Sequence, residues 1–179
     1  MLIAQQKRKE NIAEYILYLY QVEDLIRAFQ LDMDLIDENL VTRYQAEEKN
    51  AKEISSWYRN LVVMMEKEGK QKTGHLQFLT NLVNDLNEFH LNLMNTDADP
   101  VYVSAYKGVA GLVNELKQKN PAAENDVQVA IDGIYGYLLL KIQKKEITAE
   151  TEEAVKRLSN WLANLSKLFK DFESGDLEI

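Results

Sequence analysis

Apolar positions in the first thirty residues recur at helical spacing. Ile12, Ile16, Leu19 and Ile26 lie four, three and seven residues apart, so they share one face of a helix. Tyr15, Val22 and Phe29 widen that face, while Ala13, Leu17 and Tyr20 cover a second flank. The pattern predicts one helix over residues 5–29. Its apolar surface covers so much of the circumference that the helix belongs in the middle of a bundle.

The same period continues along the chain. Ile36, Leu40 and Tyr44 predict a short helix over 34–44, which Asp32 or Asp34 can cap. Ile54, Trp57, Tyr58, Leu61 and Met65 form the inner stripe of a helix over 47–67, and residues 68–74, EGKQKTG, read as a loop. Leu79, Leu82, Leu86, Phe89 and Leu93 predict a helix over 75–95, ended by NTDADP. Asp99 and Pro100 then supply a cap and a first helical residue. Tyr102, Tyr106, Val109, Val113 and Leu116 mark the next helix, and Val127, Ile131, Ile134, Tyr135, Leu138 and Ile142 the one after KNPAAEN. Behind Thr148, the residues Val155, Leu158, Leu162, Leu165, Phe169 and Phe172 alternate by three and four, the seam of near-parallel helix packing. The fold expected is therefore all-α: a single domain over 1–179, a bundle of six or seven helices, with 174–179 a frayed acidic tail.

Composition narrows the function more than the fold. The 179 residues carry a net charge of −8, so no broad basic surface is available to a phosphate backbone and nucleic acid is not an expected partner. Lys7-Arg8-Lys9 and Lys144-Lys145 read as solvated helix ends. There are no cysteines, which removes disulfides, thiolate nucleophiles and thiolate metal ligands. The start lacks the order of a secretory signal, and no run reaches the roughly 20 apolar residues of a membrane span. A cytoplasmic protein with no membrane contact is expected.

One charged cluster stands out. Taking about 100° per residue from Ile12, Glu23 projects about 20° away, in the middle of the apolar stripe. Arg27 follows four residues later at about 60°, and Asp24 lies on a flank at about 120°. A carboxylate in such a place is costly unless paired. The residues Glu23, Asp24, Arg27 and Tyr20 thus form a candidate buried polar cluster: a structural Glu23–Arg27 pair with tyrosines of other helices as further partners, the wall of a ligand pocket, or, as a third reading, plain solvated charges.

Other chemistry is thin. His75 and His90 stand 15 residues apart, about 22 Å along a continuous helix, too far to share a metal. Neither has the Glu-x-x-His spacing of a di-iron bundle. His90 reads as a histidine on an amphipathic face and His75 as a first-turn residue. The surroundings of His90 lack the lysine and glycine that accompany a phosphorelay histidine. Serine-hydrolase, phosphate-loop and dinucleotide glycine motifs are absent. Gly108 and Gly111, with Ala105, make one smooth strip, and Gly133 and Gly136 another. Helix-interior glycine costs about 1 kcal/mol, so these strips point to close helix packing or an interface.

Three blocks, AQQKRKENIAEYILYLYQVEDLIRAF, GHLQF and YGYLLLKIQKKEIT, resemble an uncharacterised all-helical bacterial family typical of Bacteroidetes and catalogued as a domain of unknown function. The resemblance spans nearly the whole chain. It implies a helical bacterial protein and brings no activity, cofactor or catalytic residue. The resulting expectation is a non-enzymatic protein that binds a protein partner or itself as a homo-oligomer, without metal or cofactor. The alternative is a small-molecule-binding bundle, with enzymatic activity open, whose polar pocket surrounds Glu23 and Arg27.

Overall fold

A computed structural model describes residues 2–45, 47–96 and 99–178. Met1, Ala46, Asp97, Ala98 and Ile179 lie outside the described residues, so two positions of the NTDADP boundary and the last of the tail are not placed. The described residues form eight α-helices and one 3-10 turn, with no strand: α1 (Leu2–Glu10), α2 (Ile12–Ala28), α3 (Met33–Asn39), the turn Val41–Tyr44, α4 (Glu48–Lys67), α5 (Gln77–Thr96), α6 (Pro100–Lys119), α7 (Asp126–Ile142) and α8 (Ala149–Glu173).

The expected six or seven helices become eight because the predicted first helix breaks at Asn11. That residue takes an extended conformation (φ −154°, ψ 106°), and its side chain accepts a hydrogen bond from the Glu14 N–H. A good N-cap side chain thereby starts a second helix inside one apolar pattern. The short helix over 34–44 likewise stops at Asn39 and continues only as the 3-10 turn. Asp32 caps α3, Asp99 caps α6 with Pro100 behind it, and Thr148 caps α8.

Helix α2 packs against α5, α7 and α8, and α5 against α6, α7 and α8. Ile16, Ile26, Leu86, Leu93, Ile131 and Leu165 are buried where these helices meet. Helix α1 folds onto α2 and α8, where Arg8 grips the Glu173 carboxylate through two bonds of 2.9 and 2.7 Å. The short α3 and the 3-10 turn lie on α4, with the Tyr44 and Tyr58 hydroxyls 3.2 Å apart. At the chain's end, where the sequence suggests fraying, Gly175 adopts φ 79°. The Asp176 N–H reaches back to the Asp171 carbonyl (2.8 Å), closing α8 in a Schellman turn.

Candidate functional site

The projection that put Glu23 amid isoleucines agrees with its burial, at 1% exposure. Its principal partners come from the α4–α5 connection rather than from its own helix. Oε2 lies 2.6 Å from His75 Nδ1, and Oε1 accepts the Leu76 N–H at 2.8 Å. Leu76 immediately precedes α5, and its carbonyl accepts from Thr80. Glu23 therefore caps α5 from a distance, adding a negative charge at the positive end of the helix dipole. Glu68 does the same for the next residue, its Oε2 accepting the Gln77 N–H at 2.7 Å. This corrects the placing of His75 in the first turn: α5 begins at Gln77, and His75 lies ahead of it as the lid over Glu23.

Arg27 stands 4.0 Å from Glu23 Oε2, at the outer edge of an ion pair. Its closer work is elsewhere. Nη1 donates to Asp24 Oδ1 at 2.7 Å, Nε to the Lys70 carbonyl at 3.1 Å, and Nη2 to the Gly74 carbonyl. Arg27 thus straps the 70–74 backbone onto α2. Asp24, left on the flank by the sequence, uses its other oxygen to accept from the Tyr135 hydroxyl at 2.5 Å. The Tyr20 ring stacks on His75 with centroids 3.4 Å apart and 9° between planes, and meets Tyr135 edge-on at 5.5 Å. Burial pushes the Tyr20 and Tyr135 hydroxyls above their ordinary range, helped by nearby carboxylates, and Tyr135 donates from this site to Asp24. Asp132, which the sequence did not single out, completes the surroundings. Burial raises its carboxyl, against the lowering influence of His75 and a 3.1 Å bond from Asn120.

A second polar knot lies among α5, α6 and α8. His90 is 2% exposed. Trp161 Nε1 donates to the Tyr102 hydroxyl at 3.0 Å, and that hydroxyl is hydrogen-bonded in turn to His90 Nδ1 at 2.7 Å. The amphipathic-face reading of His90 missed this because two of its partners lie on other helices. Burial lowers the His90 pKa, only partly countered by Asp126. The unfolded chain therefore takes up a proton on this side chain at higher pH than the folded one. The neutral ring contributes stability fully above about pH 6.5, and that stability is lost as pH falls through the lower folded-state value. Thermal melts at about pH 7.5 and about pH 5 test this: His90→Asn should show a smaller drop in melting temperature on acidification than the wild type.

The glycine strips part company. A Cβ on Gly133 would stand 2.9 Å from Leu116 Cδ1, so α6 and α7 approach closely there. Gly136, one turn on, would meet nothing within 4 Å, and neither would Gly108 or Gly111. Ala105, Gly108 and Gly111 are exposed on α6, and Arg157 of α8 reaches the Gly108 carbonyl. Beside Gly133 and Gly136 runs a groove of about 400 Å³ between α6, α7 and the start of α8. Leu112, Leu116, Leu140, Val155 and Leu158 give it an apolar floor, with Glu115 and Glu150 along its edge beside Lys119.

The family model described as Domain of unknown function (DUF4924) matches residues 1–176. The chain belongs to the DUF4924 family. No curated protein and no solved structure matches it.

The arrangement in this DUF4924 chain divides the chemistry clearly. Both Glu23 oxygens are occupied from within the chain, and the groove is lined by other residues. Among the described residues, no three His, Asp or Glu side chains are placed to hold a metal ion. No helix of the described DUF4924 chain is long and apolar enough to cross a membrane.

Proposed function

We propose that this chain is a non-enzymatic, cytoplasmic interaction protein of bacterial origin, and that its α6–α7–α8 groove docks a basic amphipathic helix of a protein partner. The observation that supports this reading is the groove itself. It is apolar along its floor, deepened by two glycines, and its Leu140 side chain is 39% exposed. Such a surface suits large side chains presented at i, i+3 or i+4, and i+7. The charge favours a partner over a second copy: Glu115 and Glu150 outnumber Lys119 at the edge, and the chain carries −8 overall. The alternative, a small-molecule pocket around Glu23 and Arg27, has less support because His75, Leu76, Asp24 and the loop carbonyls engage the polar groups of those two residues.

A synthetic leucine–lysine amphipathic helix of about four turns tests the reading by chemical-shift mapping. Shifts should concentrate on Leu112, Leu116, Tyr137, Leu140 and Leu158 and weaken with salt. Gly136→Arg fills the groove and adds a repelling charge, while improving helix propensity by up to about 1 kcal/mol. It should cost at least about tenfold in affinity, ~1.4 kcal/mol, with no loss of melting temperature. Shifts scattered over the surface, or affinity unchanged in Gly136→Arg, would count against the groove.

A further inference from the structure

We propose that His75 is a phosphoacceptor, its Nε2 taking a phosphoryl group from an acyl phosphate donor. The argument starts from the ring's two nitrogens. Nδ1 is held 2.6 Å from Glu23 Oε2, and a neutral imidazole in that position keeps its proton on Nδ1. The lone pair is then on Nε2, which has no hydrogen-bond partner among the described residues and is not buried. The side chain is 28% exposed, while Glu23 beneath it is 1% exposed. A buried carboxylate orienting a partly exposed imidazole is the arrangement that activates a nitrogen nucleophile.

The surroundings suit an incoming phosphoryl group. His75 follows Lys72-Thr73-Gly74, the lysine and glycine context that His90 lacks. Lys70 folds back so that its Nζ lies 3.5 Å from where a Cβ on Gly74 would stand. The Arg27 guanidinium grips the Gly74 carbonyl, directly before the ring. The nearby anions are engaged: Asp24 by Arg27 and Tyr135, Asp132 by Asn120, Glu68 by the Gln77 N–H. Tyr20, flat against the ring at 3.4 Å, fixes its plane.

The step balances simply. The Nε2 lone pair forms the N–P bond, the bond from phosphorus to the acyl oxygen breaks, and the carboxylate leaves with that electron pair. The imidazolium so formed keeps its Nδ1 proton against Glu23, whose charge offsets the new positive charge. No oxidant or metal is required for the balance.

Acetyl phosphate is the probe. The folded wild type should acquire an acid-labile, alkali-stable phosphoryl group that mass spectrometry places on His75, at least about tenfold faster than the same chain in concentrated urea, a difference of ~1.4 kcal/mol in barrier. His75→Gln should abolish the label, and His90→Asn should keep it. Glu23→Gln, assayed where circular dichroism shows it helical, should label several-fold more slowly. The folded-versus-urea comparison needs no variant, so it decides the matter even if Glu23→Gln does not fold. Absence of acid-labile label, label on another residue, or equal rates in the folded and unfolded chain would overturn the assignment.

Discussion

Glu23→Ala lowers the stability of this protein by about 3–5 kcal/mol, the cost of breaking a buried charged network at one end. Three losses combine. The Leu76 N–H, buried against Glu23, is left without its acceptor. The α5 N-terminus loses one of its two carboxylate caps. His75 loses the acceptor beside its Nδ1, and Arg27 keeps Asp24 but loses its second carboxylate. Urea unfolding monitored by circular dichroism measures the sum. Glu23→Gln should fall between wild type and alanine, since an amide oxygen can still accept from Leu76. A loss under about 1 kcal/mol in Glu23→Ala would show that the site relaxes and admits water, contrary to its closed geometry.

Trp161→Ala carries a penalty of similar size, about 3–5 kcal/mol, for a different reason. Here the loss is mostly volume. Trp161 is 2% exposed and fills the space where α8 meets α5 and α6. Its ring lies edge-on to His90 at 5.4 Å and tilted against Tyr106 at 5.3 Å. Alanine leaves a cavity lined by aromatic edges, and Tyr102 loses the donor at its hydroxyl. Trp161→Phe separates the two contributions. It keeps most of the volume while removing the N–H with part of the fused ring, and about 1 kcal/mol is expected for the lost hydrogen bond. Each kcal/mol lowers the melting temperature of a chain of this size by about 2–4 °C, so scanning calorimetry resolves all three proteins. Equal losses for alanine and phenylalanine would mean that the hydrogen bond, not the packing, dominates.

The helical fold was legible from the sequence because each helix writes its period into consecutive residues. The burial of Glu23 was legible for the same reason: its place among Ile12, Ile16 and Leu19 follows from local geometry. Its partner was not. A helical projection sees only its own helix, so it offered Arg27 at i+4, whereas His75 comes from 52 residues away and sits closer, at 2.6 Å against 4.0 Å. The start of α5 was misplaced on the same account. With Glu23 and Glu68 supplying the cap, the segment GHLQF needs no serine, threonine or aspartate of its own, and the usual start signal is missing. The break at Asn11 was written locally, in Asn11 followed by Glu14 three residues later, but the continuous apolar stripe on both sides concealed it. The Trp161–Tyr102–His90 relay joins three helices, and periodicity carries no information on which faces meet.

Borrowing a cap also has a consequence for how the chain acquires its shape. Starting a helix is the unfavourable step in its formation, and a local cap lowers that barrier at the end where it sits. The first turn of α5 has only Glu68, nine residues back, until α2, whose carboxylate is 53 residues upstream of Leu76, has come alongside. Closing so long a loop costs entropy before any bond repays it. Completion of α5 at its leading end and docking of α2 are then a single event, and a nascent chain emerging in order would hold Glu23 in waiting until His75 and Leu76 arrive.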